Sequence, residues 1–299
     1  MYRNLARVAT QSLERRRRNL LKTLDMPRLY LTSYYRSQAN RALFDGVKAF
    51  CFFVGQNRTG GSLVSGLLDA HPNAVFADEM DALRFVQAGF NRAQVFQLAL
   101  ENSQRWARQG RMKKGRNGKP YSYLVPGGLH GRSSNLRVIG DHKAGISTHA
   151  VSRRPGLLGD LRRTLRGADL KIIHVARNPY DMISTMMLKG NYWTLNEAIV
   201  RNAEMCRSLC DLWASEEASN MLLVRNDELI GEPKRVLREV CEFLAIPADE
   251  EYLSACAGII YRSPSKSRNA IRWPAEAIAA VKSQLIDECD FLRGYSYED

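Results

Sequence analysis

The stretch that decides the fold is an apolar run followed at once by a glycine-bearing loop. The run AFCFFV occupies 49–54, the loop GQNRTGGS occupies 55–62, and Leu63, Leu67 and Leu68 then begin a helical pattern. A continuous apolar run of this length is typical of a strand that is buried on both faces of a parallel sheet. The sequence therefore predicts a strand, a loop and a helix in this order.

Further short apolar runs alternate with helical patterns along the rest of the chain. These predicted strands occupy residues 74–77, 137–140, 171–176 and 221–224. The alternation predicts an α/β fold, a single domain with a central, mostly parallel sheet flanked by helices. We place this domain at 49–299 and predict that 1–48 form a basic N-terminal helical arm with a break at Pro27. Ligands of such sheets bind at the carboxyl ends of the strands.

Composition restricts the class of protein. The chain has 299 residues, of which 45% are hydrophobic, which excludes a disordered or fibrous protein. No apolar run is long enough to cross a bilayer and the N-terminus carries no secretory signal pattern, so we expect a cytoplasmic protein. The six cysteines include no CxxC pair, and we interpret them as reduced core residues. Only Cys206 and Cys210 have a spacing that a metal could use, and no second pair lies nearby, so we predict no metal.

The positive charge is concentrated near the N-terminus. The net charge is +13, and residues 1–48 hold eleven basic and three acidic side chains. This balance favours anionic partners. We expect the arm to pack on the domain as a solvated helix, with contact to an anionic membrane at the inner membrane face as the alternative use. No nucleic-acid-binding module is recognisable, so we predict no nucleic-acid partner.

The loop after the first strand has the shape of a phosphate-binding loop. Residues 55–62 fit the pattern GxxxxGx[ST], but Gly61 stands where a nucleotide triphosphatase has lysine. Hydrolysis of ATP is therefore disfavoured, and an atypical P-loop kinase is a secondary hypothesis. Arg58 supplies positive charge from within the loop. A turn that merely joins strand and helix is the alternative interpretation. The backbone amides that we expect to face the anion belong to Gly60, Gly61, Ser62 and Leu63.

A second anion site is predicted at the end of the strand 171–176. Arg177 follows this strand directly, and Pro179 is suited to the first turn of the next helix. The hydroxyls of Ser184 and Thr185 project from that helix, and an arginine with a nearby hydroxyl forms a clamp for a phosphate. A surface arginine bonded to Asp181 is the alternative. Two such clamps on neighbouring strands imply a ligand with two separated anionic groups.

At this point the chain resembles the PAPS-dependent sulfotransferases, and more closely their bacterial carbohydrate and tyrosylprotein-like branch. Their donor, 3′-phosphoadenosine 5′-phosphosulfate, carries a phosphosulfate at one end and a 3′-phosphate at the other. The 5′ motif of the family is matched by RTGGSL at 58–63 with LDAHP at 68–72, although Gly61 replaces a hydroxyl residue. The 3′-phosphate motif is matched by RNP at 177–179 with Thr185, and Ser184 is the adjacent alternative.

The resemblance also implies roles for individual residues. The GDHK segment at 140–143 is similar to the family segment whose lysine, here Lys143, lies at the sulfuryl group. Glu79 corresponds to the catalytic base of many bacterial members, and His142 is the rival base. The late segment before Trp273 resembles the loop that closes on the 3′ end of the donor. The implied catalytic residues are Glu79, Lys143, Arg58 and His142, and the implied donor-binding residues are Arg58, Thr59, Gly60, Gly61, Ser62, Leu63, Arg177, Ser184, Thr185, Lys266 and Arg268.

The same roles have plainer explanations. Glu79 could be a surface or helix-capping carboxylate, because it lies beside Asp78 and Asp81 at a predicted helix start. His142 could be a hydrogen-bonded structural residue. Asp81 stands where tyrosylprotein members carry an arginine, which argues against an acidic peptide as acceptor. The stretch 102–135 is predicted to be a long basic loop, which either covers an anionic acceptor or is only solvated. We therefore expect a sulfotransferase that uses PAPS and no metal, with a glycan or glycolipid hydroxyl as acceptor.

Overall fold

The computed structural model describes residues 25–114, 120–154, 156–192 and 194–299, and the side chain of Lys114 is not among the described parts. The first half of the predicted basic arm, residues 1–24, lies outside these ranges. Pro27 occupies the first turn of a helix, Met26–Ala39, where a missing amide hydrogen costs no hydrogen bond. In the described residues, no helix is long and apolar enough to cross a membrane.

The centre of the molecule is a five-stranded parallel sheet. In spatial order, its strands are β2 (Ala74–Asp78), β5 (Val138–His142), β1 (Ala49–Val54), β6 (Asp169–Ala176) and β7 (Met221–Arg225). Every neighbouring pair is parallel. A separate antiparallel hairpin consists of β3 (Met112–Lys114) and β4 (Pro120–Ser122). The predicted fold class is therefore confirmed, because each predicted apolar run is one strand of this sheet.

Helices connect the strands and cover both faces of the sheet. Several of these helices begin at a residue whose side chain caps the first turn. Asn178 accepts from the Tyr180 amide, and Thr194 accepts from the Glu197 amide. The α-helices are Met26–Ala39, Arg41–Asp45, Gly61–Asp69, Ala82–Gln87, Arg92–Arg108, Ala144–Arg153, Leu157–Thr164, Pro179–Leu188, Leu195–Trp213, Asn226–Gly231, Pro233–Phe243, Glu250–Ile259 and Ala275–Val281.

Strand β1 divides the core between the two faces. Phe50 and Phe52 belong to the apolar cluster on one face, whereas Cys51 and Phe53 belong to the cluster on the other. All four are almost fully buried. Because successive side chains of a strand point to opposite faces, a strand in the middle of a covered sheet must be apolar at every position. This requirement explains the unbroken apolar run from which the fold was predicted.

The predicted long loop 102–135 is wrong at its start and correct for 123–135, where the structure has no helix or strand. The helix Arg92–Arg108 continues through its first part, and the β3–β4 hairpin follows. Arg111 is buried rather than solvated, since its Nη2 lies 2.6 Å from Asp69 Oδ2 and donates to the Phe76 carbonyl oxygen at 2.9 Å. At least one basic residue of this stretch, Arg111, therefore belongs to a buried ion pair and not to a solvated surface.

The part of the arm that the structure describes packs on the domain. Tyr30 makes an edge-to-face contact with Phe90, and the Gln94 side-chain amide donates to the Tyr30 carbonyl oxygen at 2.8 Å. Phe44 and Val47 are buried in the core. The segment immediately before β1 is therefore part of the folded structure.

Gly140 in strand β5 is closely packed against its neighbours in the sheet. A Cβ atom on Gly140 would overlap the ring of Phe76 and would lie 2.7 Å from the Cys51 carbonyl oxygen of β1. We expect Gly140→Ala to lower the free energy of unfolding by about 1–3 kcal/mol, the usual cost of overpacking a core. Urea denaturation followed by circular dichroism measures this difference.

Gly258 is the matched control for this substitution. It lies in the helix Glu250–Ile259, and a Cβ atom there would meet nothing within 4 Å. Gly258→Ala should leave the protein unchanged or slightly more stable, by roughly 0.5–1 kcal/mol. An equal effect of the two changes would contradict the described packing of β5.

Candidate active site

The loop after β1 is held in shape by contacts from three directions. The Gly55 amide donates to Thr148 Oγ1 at 2.8 Å. Gly60 has a φ of 107°, in the left-handed region, and a Cβ atom there would overlap the side-chain amide nitrogen Nδ2 of Asn226. The Arg58 carbonyl oxygen accepts from Arg177 at 3.1 Å. Glycine at position 60 is therefore required both by the backbone conformation and by the close approach of the helix that begins at Asn226.

Free amides at the start of the helix Gly61–Asp69 face the loop. Within the described ranges, the amides of Gly61 and Ser62 donate to no protein acceptor. The Leu63 amide differs, because it donates to the Gly60 carbonyl oxygen at 2.9 Å. Unpaired amides at a helix N-terminus favour a bound anion. The amides of Gly61 and Ser62 are thus better placed for an anion than the predicted amide of Leu63.

Arg177 joins three segments at the end of β6. Its guanidinium donates to the Arg58 carbonyl oxygen in the loop, to Thr185 Oγ1 at 3.4 Å, and to Ser267 Oγ at 3.1 Å. It also donates to the Ser265 carbonyl oxygen at 2.8 Å. The Thr185 and Ser267 hydroxyls lie 2.9 Å apart. The arrangement places a cation and two hydroxyls beside the phosphate loop, which is a suitable clamp for a second phosphate.

Two of the predicted donor-binding side chains are used elsewhere. Ser184 is fully buried and its hydroxyl accepts from the Trp273 indole at 3.0 Å, so Thr185 and not Ser184 lies beside Arg177. Arg268 is buried and forms an ion pair with Asp181, with Nη2 at 2.8 Å from Oδ2. A guanidinium held in this way braces the late segment from inside. Of the two late basic candidates, Lys266 alone is exposed.

A carboxylate and a lysine are paired where β2 and β5 end. Lys143 Nζ lies 2.9 Å from Glu79 Oε2 and also donates to the Glu79 carbonyl oxygen. Lys143 is 9% exposed and Glu79 is 50% exposed. Asp141, which is buried, accepts from the amides of Met80 and Ala82 and so holds the turn that carries Glu79. Burial raises the pKa of Asp141 to about 6, although these amides oppose the shift.

A second network lies directly behind this pair. Asp78 Oδ1 bonds His142 Nδ1 at 3.0 Å, and Asp78 Oδ2 lies 2.6 Å from Lys113 Nζ. Burial alone would raise the pKa of Asp78, but the hydrogen bond and charge of His142 together with Lys113 outweigh burial and lower it. The ring of His142 also packs edge to face on Phe53, with centroids 5.1 Å apart. His142 is therefore held in one orientation.

These elements surround a cavity of about 250 Å³. Half of the residues that line it are basic, and the six come from the phosphate loop, the end of β2, the hairpin region and the end of the helix Pro179–Leu188. They are Arg58, Ser62, Glu79, Lys113, Tyr123 and Lys189. A small polar cavity with several cations and one carboxylate is suited to a reaction on an anionic group.

The grouping of Asp78, Glu79 and His142 also has the composition of a metal site. One ligand atom from each of the three lies within 4.8 Å of the others. Lys113 and Lys143 already provide positive charge to the two carboxylates. Two ammonium groups of the protein thus already balance the charge of these two carboxylates.

Comparison with known proteins decides the family. Residues 51–272 match the family model described as the sulfotransferase domain. The chain belongs to the sulfotransferase family. No curated protein matches the chain.

Several solved structures are similar to this chain at low sequence identity. The sulfotransferase domain of the Synechococcus PCC 7002 olefin synthase is 18% identical, with a TM-score of 0.51 over 79% of this chain and 94% of that one. The sulfotransferase domain of the curacin biosynthetic pathway is 16% identical, with a TM-score of 0.48 over 79% and 97%. The sulfotransferase of Alicyclobacillus acidocaldarius is 14% identical, with a TM-score of 0.45 over 82% and 94%.

The cavity of this sulfotransferase contains residues that sequence reasoning did not assign to a site. Lys189 follows a helix and has no motif around it, so nothing in the sequence indicated it. Tyr123 and Lys113 belong to the stretch that was predicted as a basic loop, and its density of basic residues was the one available signal. The hairpin pairing of β3 with β4 is what brings this stretch back to the phosphate loop.

Proposed function

We propose that this sulfotransferase transfers a sulfuryl group from 3′-phosphoadenosine 5′-phosphosulfate to an acceptor hydroxyl. The observation that carries the proposal is the contact between Arg177 and the phosphate loop at Arg58, 3.1 Å from Nη1 to the carbonyl oxygen. This contact makes the two anion clamps neighbours at one edge of the sheet. A nucleotide with anionic groups at both its 5′ and 3′ ends fits such a pair of clamps, and the residues match the donor motifs of the family.

Sulfuryl transfer is an in-line displacement at sulfur. The acceptor oxygen forms a bond to sulfur while the bond from sulfur to the bridging phosphate oxygen breaks, and the acceptor proton passes to a base. Negative charge develops on the bridging oxygen, and a cation at that point stabilises the transition state. Arg58, which is exposed in the loop, and Lys143 at the end of β5 are our candidates for this role.

Glu79 is our first choice for the base. It lines the cavity and is half exposed, so an acceptor can reach it. His142 is nine-tenths buried and its Nδ1 is already bonded to Asp78. Because a general base must lie within hydrogen-bond reach of the proton that it removes, the accessible Glu79 carboxylate is favoured over the His142 ring.

The proposed acceptor is an acidic glycan or glycolipid. Lys113 and Lys189 supply positive charge to the cavity from two separate elements, which favours a negatively charged acceptor. Tyr123 provides an aromatic face with a polar edge in the same cavity, a surface on which a sugar ring can stack. Neither lysine comes from the phosphate loop or the Arg177 clamp. Lys113 is paired with Asp78, whereas Lys189 forms no ion pair among the described residues and can serve the acceptor side.

We also propose a cytoplasmic protein that contacts an anionic membrane through residues 1–48. The described part of this segment supports the contact, because Leu31 is 57% and Tyr35 is 71% exposed on the helix Met26–Ala39. Exposed aliphatic and tyrosine side chains beside basic residues are typical of helices at a membrane surface.

Donor binding is tested with adenosine 3′,5′-bisphosphate by isothermal titration calorimetry. Arg58→Ala and Arg177→Ala should each weaken binding at least about 10-fold, since each removes charge-assisted hydrogen bonds to a phosphate. Glu79→Gln should retain binding and lose turnover by roughly 10²–10⁴-fold. Arg293→Ala, at an arginine that is 77% exposed, is the control.

The outcomes separate the alternatives. Unchanged affinity in both arginine variants would contradict the proposed donor site, and equal loss of binding in all three variants would argue against Glu79 as the base. Mg²⁺-dependent ATP turnover without sulfuryl transfer would favour the atypical kinase instead.

The acceptor is tested by mass spectrometry of glycans, glycolipids and phenols after incubation with the donor. We expect a gain of one sulfuryl group on an acidic sugar. Lys189→Ala should raise the KM for that acceptor roughly 10-fold with little change in kcat, because uniform binding is lost. Lys282→Ala, at an exposed lysine paired with Asp287, is the control. Equal KM values of wild type and Lys189→Ala, or sulfation of phenols alone, would contradict an acidic glycan acceptor.

Membrane contact is tested by co-sedimentation with vesicles. The protein should bind vesicles that contain phosphatidylserine and not vesicles of phosphatidylcholine alone, and the double variant Leu31→Ala/Tyr35→Ala should bind less. Val200→Ala, at an exposed valine of another helix, is the control. Equal retention on both kinds of vesicle would argue against an electrostatic contact.

A further inference from the structure

Gly61 and His142 occupy one space at the phosphate loop. A Cβ atom built on Gly61 would lie 2.8 Å from His142 Cδ2 and closer still to His142 Nε2. A serine or threonine at position 61 therefore cannot coexist with the histidine ring in its present orientation. The family motif has a hydroxyl residue at this position, and in this chain the imidazole nitrogen fills the volume that such a side chain would need.

The ring of His142 is held in place at Nδ1, whereas Nε2 is available to a ligand. Its Nδ1 is bonded to Asp78, whose second oxygen is held by Lys113, and its face meets the ring of Phe53. Its Nε2 has no hydrogen-bond partner among the described residues, although the side chain is only 9% exposed. The free nitrogen lies beside Gly61, at the helix N-terminus where the amides of Gly61 and Ser62 are also unpaired.

We propose that His142 binds the 5′-phosphosulfate of the donor through Nε2 and so replaces the hydroxyl that Gly61 lacks. The proposal rests on the proposed function, since it names a ligand of the same donor site. With Asp78 accepting from Nδ1, the protonated ring presents an Nε2–H donor to an oxygen of the phosphosulfate. His142 is then a donor-binding residue, and Glu79 keeps the role of base. Gly61 and His142 form a coupled pair in which each residue accounts for the other.

The first experiment compares two ligands that differ only at the 5′ end. Adenosine 3′,5′-bisphosphate carries the 5′-phosphate, and adenosine 3′-monophosphate lacks it. His142→Ala should weaken binding of the bisphosphate roughly 10- to 100-fold, the value of a hydrogen bond to a charged group. Binding of the monophosphate should change less than about twofold. Equal weakening of both ligands, or no weakening of either, would overturn the proposal.

The second experiment is a double-mutant cycle with the same titrations. Gly61→Ser alone should weaken bisphosphate binding, because the new side chain clashes with the ring. The double variant Gly61→Ser/His142→Ala should bind within about threefold of wild type, because the serine hydroxyl regains the space and the donor role. Additive losses in the double variant would overturn the proposal.

The variant His142→Gln is a control that separates loss of the hydrogen bond from loss of folding in His142→Ala. The glutamine amide can place an N–H near the position of Nε2, so it should retain more bisphosphate affinity than alanine does. Equal affinity of the two variants would count against the proposal. If the wild type failed to bind adenosine 3′,5′-bisphosphate at all, the proposed function itself would fail, which is a different result from any of these.

Discussion

The parallel pairing of β1 with β5 on one side and β6 on the other is the constraint on which the site depends. Parallel strands end at the same edge of a sheet, so whatever follows each strand is delivered to one place. The phosphate loop follows β1, Lys143 follows β5, and Arg177 follows β6. No long-range folding of loops is needed to bring these groups together. The same register places Asp78, at the end of β2, directly opposite His142.

Charge balance gives this edge its specific structure. Two carboxylates at this edge have a basic partner, Glu79 with Lys143 and Asp78 with Lys113, whereas Asp141 accepts from the amides of Met80 and Ala82. A buried charge without a partner would destabilise the fold by several kcal/mol. The pairs therefore serve stability and also hold the side chains in fixed positions. Among the described residues of this edge, the loop amides of Gly61 and Ser62, the exposed guanidinium of Arg58 and the ammonium of Lys189 have no such partner, and these groups attract an anion.

Arginine and lysine residues with similar surroundings in sequence have different tasks in the folded protein. Arg268 and Arg111 are internal braces, each paired with a buried aspartate. Arg177 is also hydrogen-bonded to protein atoms, but those atoms belong to the loop and hydroxyls around the proposed donor site. The distinction depends on which carboxylate packs against each guanidinium. Asp181, which the sequence offered as a partner of Arg177, is instead the partner of Arg268.

Local patterns alone were enough for the class of fold and the main loop. A strand buried on both faces must be apolar throughout, so the five strands were visible as apolar runs, and Arg177 was visible because it follows one of them. Such local patterns could not predict contacts between segments that are far apart in the chain. Three features depend on residues far apart in the chain. Thr185 rather than Ser184 faces Arg177, Arg268 is buried in an ion pair with Asp181, and the His142 ring occupies the space beside Gly61. Only packing brings those residues together, because side-chain volume and ion pairing are properties of neighbours in space.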